Sequence, residues 1–502
     1  MKEKMAPNSQ FWLTVDNPNN LSVLTGLIVL DSPIDLLTFR LLIEERLMDL
    51  APFQEKVVEE LPPKKGYRWI TDDQFDIRAH VELIRLKNED SDEDLQRIIS
   101  ETMSKPMDMN KPPWQFLLVK RYQSGCAIIP RIHQSLMHRV DLIRVLWSLS
   151  DEYKKKSTED SLSSDADTWM ALPALLFDKA RSCIHTSLSV ANTVVTTCLK
   201  PFTNPFYMIE KIRIGMGSTA DRLSEIGRIM LINSDSDSVL KKPLNPKKLY
   251  AWSRPFSLND IQNLSKATNA TMNVIYITAL TGTIKDYLKF RKNAIDYREI
   301  RALIPVDMRM TPGSYSGATR FGVIPFDLPV HINDPFHRIA EVKRRIQKID
   351  FLPDAVSVFN ALMNLGFPPH VFAEKLAIPF AQKSSLVMTN TQGPAKALSI
   401  NQVPVTNIMY WLPRVGDIGL GTTILSYNQE VRLGMICDTN QIPDTKPFIE
   451  AFEKQLAYLL EYAPKHRSKQ VSQEDRIAAA ISDQKLPPIA IDNLTAEMSE
   501  LG

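Results

Sequence analysis

Residues 21–30, LSVLTGLIVL, form an apolar run rich in Leu, Val and Ile that is closed by Asp31-Ser-Pro33. A run of that length and type predicts a strand covered on both faces, followed by a helix over 36–50. Residues 69–81 alternate loosely and read as strand and loop. Apolar positions at Leu95, Ile98, Ile99 and Met103, behind an acidic first turn, predict a helix over 92–104. Residues 116–119 and 126–132 read as strands joined by a turn at 122–125, and 142–149 as an apolar helix. Residues 1–152 therefore form one α/β unit.

A polar stretch interrupts the pattern. Lysines 154–156 lead into a Ser- and Asp-rich segment up to residue 167, which reads as a linker. Residues 169–199 read as helical, and 234–243 as a second linker, so 153–245 is assigned as a connecting region. The second unit, 246–463, opens with the helix-start signal Ser257-Leu-Asn-Asp260. Helices are expected over 273–288, 335–348 and 447–462, and strands over 301–306, 321–328 and 385–389. Asn390-Thr-Gln-Gly-Pro394 reads as a turn after the last of these strands. Residues 420–427 and 430–437 read as a hairpin around Asn428-Gln429. The polar tail, 464–502, is expected to be disordered.

Composition narrows the classes. With 502 residues the chain exceeds one compact core. Its formal net charge of +2 supplies no field for nucleic acid, which is excluded as a partner. Four cysteines without a Cys-x-x-Cys pair argue against a disulfide scaffold or a zinc site and for a reducing compartment. No apolar run reaches 18 residues, and the polar N-terminus has no secretory pattern, so the expected location is intracellular, cytoplasmic or peripheral on a membrane. Residues 184–199 carry no Asp, Glu, Lys or Arg, and Phe202, Phe206 and Tyr207 follow. They read either as a packed linker helix or as a contact with a membrane or lipid droplet.

The ordered signposts are Pro113-Trp114, Arg131-Ile-His133-Gln-Ser-Leu-Met-His138-Arg139, Ile304-Pro-Val-Asp-x-Arg309, Thr389-Asn-Thr-Gln-Gly-Pro394, Gly416-x-x-Gly419, Ser426-Tyr427 and Asp438. In this order they resemble the wax ester synthase/diacylglycerol acyltransferase family, over roughly residues 11–462. The resemblance implies two chloramphenicol acetyltransferase-like α/β domains facing each other across a tunnel. It also implies acyl-CoA as co-substrate, no bound cofactor, and a diacylglycerol or long-chain alcohol as acceptor. The family motif is His-His-x-x-x-Asp-Gly, whose second His is the general base, because imidazole titrates near working pH.

Here His133 takes the first position and Gln134 the second, with His138 at the Asp and Arg139 at the Gly. An amide is too weak a base to hold the proton. His133 then reads either as a base displaced by one position or as a structural His at a strand end, and strand alternation favours the second. His138 reads as a replacement base or as a loop residue. Arg139 reads as an anion contact or as a solvated residue with Asp141 for a partner. Two histidines alone do not make a metal site. The family's Asn-Asp pair is Asn273-Val274 here, and Asn390, Gly393 and Pro394 would line the acceptor channel. Three functions follow. One is a diverged acyl-CoA-dependent O-acyltransferase of neutral-lipid synthesis, impaired by the missing base. Another is a non-catalytic relative that binds acyl-CoA, lipid or a protein. The third is a different transfer reaction served by His138, with an acceptor acidic enough to need little base help.

Overall fold

The computed structural model describes residues 3–48, 50–60, 66–136, 142–152, 233–295, 298–307, 321–349 and 373–461. The first part runs β1 (Glu3–Lys4), α1 (Pro7–Val15), β2 (Val23–Leu30), α2 (Leu36–Leu47), β3 (Glu55–Glu59) and β4 (Tyr67–Thr71). It continues with β5 (Val81–Ile84), α3 (Asp92–Met103), β6 (Trp114–Tyr122), β7 (Gly125–His133) and α4 (Leu142–Leu149). The second part begins with β8 (Lys248–Trp252), β9 (Phe256–Ser257), α5 (Leu258–Ala267), α6 (Met272–Phe290), β10 (Ile300–Asp307) and β11 (Phe321–Leu328). After these come α7 (Pro335–Ile349), β12 (Leu386–Gln392), β13 (Ser399–Ile400), β14 (Val403–Trp411), β15 (Leu420–Tyr427) and β16 (Glu430–Asp438). A last helix covers 446–461. The expected linker at 154–167, the helix at 169–199 and the tail from 464 lie outside the described residues.

Local chemistry explains most of these elements. All eight positions of β2 are buried, as an unbroken apolar run requires. The Ser257 side chain accepts from the Asp260 N–H and starts α5, and Thr271 caps α6 in the same way at Val274. Asn428 and Gln429 both have positive φ, 46° and 66°, the backbone that matches a two-residue hairpin to strand twist.

Several expectations need correction. The helix expected to reach residue 50 stops at Leu47, and the Leu50 N–H closes a tight turn on the Leu47 carbonyl at 3.0 Å. The strands β6 and β7 are longer than their apolar cores, because ladder pairing carries polar ends along with it. The segment from Asn390 to Gln392, expected as a turn, continues β12 in parallel register with Ile424 to Ser426 of β15. The strands β3 and β14 were not foreseen.

Two mixed sheets form the frame. One has the order β11-β10-β12-β15-β16-β8, with β9 also pairing with β16. The other has the order β13-β14-β2-β7-β6-β5. A small third sheet, β1-β4-β3, stands apart from both. Residues 399–411, although they lie late in the chain, thus supply two strands to the sheet of the first unit. There β14 runs antiparallel to β2, with Met409 opposite Leu27 and Trp411 opposite Thr25. The crossing is tight: a side chain at Gly434 of β16 would place its Cβ 2.5 Å from Met409 Cε and 2.8 Å from Trp411 Nε1.

The two cores reflect this exchange. The first joins β2, β6 and β7 to Leu398, Val405, Trp411 and Tyr427. The second surrounds α6, which is buried almost throughout its length. Between the units, α3 meets β8, with the Lys248 N–H on Ser104 Oγ at 2.9 Å and the Tyr250 N–H on Ser100 Oγ at 3.1 Å.

Candidate active site at the end of strand β7

The motif begins where β7 ends. His133 is the last residue of that strand and stands opposite Val23 of β2, with its N–H on the Pro113 carbonyl at 2.9 Å. Its ring is 1% exposed. Nδ1 lies 2.8 Å from Ser135 Oγ and accepts the Ser135 backbone N–H at 3.2 Å. A nitrogen that accepts an amide proton carries none of its own, so the neutral ring holds its proton on Nε2. That Nε2 faces the Asp16 carboxylate at 3.7 Å, beyond hydrogen-bond reach. Both ring nitrogens thus face groups of the first unit, Nδ1 towards Ser135 and Nε2 towards Asp16.

Gln134 follows the strand, and its N–H bonds the Ser22 carbonyl at 2.8 Å. Its side chain is nearly buried, and Oε1 has no hydrogen-bond partner among the described residues. An amide oxygen in that state can accept a hydroxyl hydrogen without removing it. His138 and Arg139 lie outside the described residues.

Asn273 and Asn390 come together. Asn390 Nδ2 donates to Asn273 Oδ1 at 2.5 Å, linking β12 to the first turn of α6. Gly393 and Pro394 are pinned to the β15–β16 hairpin: the Gly393 N–H bonds the Ser426 carbonyl at 2.7 Å, and the Asn428 N–H bonds the Pro394 carbonyl at 2.8 Å. A Cβ at Gly393 would sit 2.4 Å from the Ser426 oxygen, so the approach requires glycine. Thr391 Oγ1 and the Tyr410 hydroxyl bond each other and tie this segment to β14. Asn390 belongs to the sheet that holds β12 and β15, whereas Gln134 directly follows β7 of the other sheet.

A narrow cleft of about 10 Å³, room for roughly one water, lies between the units beside Val23. Arg414, Lys248 and Tyr250 reach it, and sequence reading had singled out none of them. Burial pushes the Lys248 ammonium down to about 8, against the pull of Asp438, to which it is bonded. Asp438, one of the signposts, is wholly buried and also accepts the Asn245 N–H at 2.9 Å and the Asn440 N–H at 2.8 Å. The signal that could have found Lys248 and Arg414 is a charged residue next to apolar strand sequence. Among the described residues, no group of three or more His, Cys, Asp or Glu could hold a metal, and no helix is long and apolar enough to cross a membrane.

Residues 5–276 match the model of the wax ester synthase/diacylglycerol acyltransferase catalytic domain, more than half of the chain. The chain belongs to that family. Residues 318–459 match the C-terminal domain of the wax ester synthase/diacylglycerol acyltransferases as well. A probable diacylglycerol O-acyltransferase of Mycobacterium tuberculosis is 23% identical over 401 residues, which cover 78% of this chain and 81% of the relative. An O-acyltransferase WSD of Acinetobacter baylyi is 21% identical over 417 residues, covering 81% and 84%. In fold the chain is similar to the wax ester synthase/diacylglycerol acyltransferase of Marinobacter aquaeolei, with a TM-score of 0.64 at 17% identity over 92% of this chain and all of that one. It is also similar to the first condensation domain of the calcium-dependent antibiotic synthetase, at a TM-score of 0.55 and 12% identity over 92% of this chain and 96% of that one. The fold is thus the two-domain α/β acyltransferase architecture that the motif order implied.

Proposed function

We propose that this protein is a diverged acyl-CoA-dependent O-acyltransferase that binds a thioester and a lipid alcohol and transfers the acyl group slowly. The observation that carries this reading is an amide, Gln134, at the base position of a chain whose residues 5–276 match the family's catalytic domain. In the reaction the acceptor oxygen bonds the acyl carbon, the carbon–sulfur bond breaks, and the hydroxyl proton ends on the thiol.

In this reading Gln134 Oε1 holds the hydroxyl hydrogen and orients the oxygen, but the proton must travel through water. General base help is worth about 10² to 10⁴ in rate, and that part is missing. His133 does not replace it, because its Nδ1 is taken by Ser135 and its Nε2 carries the proton. The acceptor, a diacylglycerol or long-chain alcohol, would be drawn from a membrane or lipid-droplet surface by an intracellular protein.

The test is transfer from labelled palmitoyl-CoA to diacylglycerol or hexadecanol, beside calorimetric binding of the thioester. Binding with slow turnover is expected, and His138→Ala should leave that turnover unchanged. The triple change Gln134→His, His138→Asp and Arg139→Gly should raise turnover by about 10² or more. Loss of turnover in His138→Ala would instead make His138 the base. Thioester binding without any turnover would favour the non-catalytic relative.

A further inference from the structure

The chain passes between the two large sheets in both directions late in its course. It leaves β12 of one sheet for β13 and β14 of the other, and after Trp411 it returns to β15. A single side chain of the first unit holds this return segment, 412–419. Asn20 is 1% exposed, and its amide donates to the Gly416 carbonyl at 3.0 Å and to the Ile418 carbonyl at 3.2 Å. Its Oδ1 accepts from Arg414 Nη2 at 3.1 Å. A carbonyl only accepts and a guanidinium only donates, so these partners fix which way the amide points.

Asn20 lies in the loop between α1 and β2, and the same loop holds the start of the motif. The loop is braced internally. The Asn20 N–H bonds the Asn17 carbonyl at 2.9 Å, the Asn19 N–H bonds Asn17 Oδ1 at 3.0 Å, and the Ser22 N–H bonds Asp16 Oδ1 at 2.6 Å. The Ser22 carbonyl accepts the Gln134 N–H at 2.8 Å. The other oxygen of Asp16 faces His133 Nε2 at 3.7 Å.

We infer that loop 16–22 couples the seating of the return segment to the conformation of the motif, so that 412–419 and 133–134 loosen together. A buried amide stripped of its partners costs free energy, so Asn20 follows the return segment when it moves. Ser22 is only two residues further on, at most about 7 Å of extended chain. The internal braces leave little slack over that distance, and the displacement reaches the carbonyl that holds Gln134. The coupling concerns the motif backbone and is independent of whether Gln134 takes part in transfer.

The test is hydrogen exchange on the full chain, read by mass spectrometry at segments 131–136 and 414–422, with α6 as the reporter of global opening. Asn20→Ala removes the bonds to the return segment and leaves the Ser22–Gln134 bond in place. It should speed exchange about tenfold at 414–422 and by a similar factor at 131–136, beyond any change in α6. Asp16→Ala acts from the motif end, at a side chain that is 27% exposed, so the variant should fold. Coupling is reciprocal, and this change should also speed exchange at 414–422. Asp16→Asn keeps an oxygen for the Ser22 N–H and should restore the slow rate. With both alanines present, the acceleration should fall short of the product of the two single effects.

Three results would overturn the inference. They are an Asn20→Ala protein that exchanges faster at 414–422 alone, an Asp16→Ala protein unchanged at 414–422, and equal acceleration of both segments and α6 in either variant. Since no thioester or acceptor is present, none of these outcomes bears on the transfer reading.

Discussion

His80 lies between the rings of Phe75 and Trp114, with centroids 5.1 Å and 4.5 Å away, and its Nδ1 meets the Trp114 carbonyl at 2.8 Å. The ring is 3% exposed. Burial pulls its pKa below the usual histidine value, and the carbonyl contact only partly offsets this. The folded chain thus holds fewer protons than the unfolded chain just below pH 6.5. Stability from this group is complete above that value and is lost as the pH falls through the window beneath it. His80→Phe should flatten the apparent melting temperature between pH 7 and 5, as read by thermal scans at fixed ionic strength. An unchanged pH slope would show that His80 is not the titrating group. His80 went unremarked in the sequence because what makes it special is two rings, one of them 34 residues away. Arg414 was missed for the same reason, since its environment is made by chain segments far apart. By contrast, Gln134 was legible at once, because a motif fixes residue type by spacing alone.

At the scale of elements, Tyr427 secures the segment that crosses between the sheets. Its hydroxyl donates to the Val405 carbonyl at 2.9 Å and accepts the Leu398 N–H at 2.8 Å. Tyr427→Phe leaves two buried backbone groups unmatched and should cost about 1–3 kcal/mol in denaturant titrations. It should also speed hydrogen exchange over 399–411 more than elsewhere. An even change across the chain would reject the anchoring role. The helices α3, α5 and α6 and the 428–429 hairpin were readable in advance, because caps and two-residue turns are written in neighbouring residues. The strand β14 was not. Its sequence, VPVTNIMYW, opens with a proline near its start and alternates poorly, and its strand state comes from pairing with β2 some 380 positions away. The Asn390–Gln392 stretch failed for a related reason: a parallel neighbour overrode its turn-like composition.

For the whole molecule, the exchange of strands makes the first unit incomplete in sequence. Residues 1–152 contain β2, β7, β6 and β5 but neither β13 nor β14, and the core they share includes Trp411 and Tyr427. The segment 1–152 expressed by itself should show no cooperative unfolding transition. The full chain should melt its two sheets together in calorimetry. A soluble, cooperatively folding 1–152 segment would show that the borrowed strands are dispensable.

The same exchange sets a clock on biosynthesis. The edge of β2 that receives β14 emerges early from the ribosome, and its partner is not made until residues 403–411. At about 5–20 residues per second, that edge waits on the order of tens of seconds with its backbone groups unpaired. A nascent chain of this protein is therefore a natural client for factors that shield open strand edges, and slow translation of its middle third would lengthen the exposure.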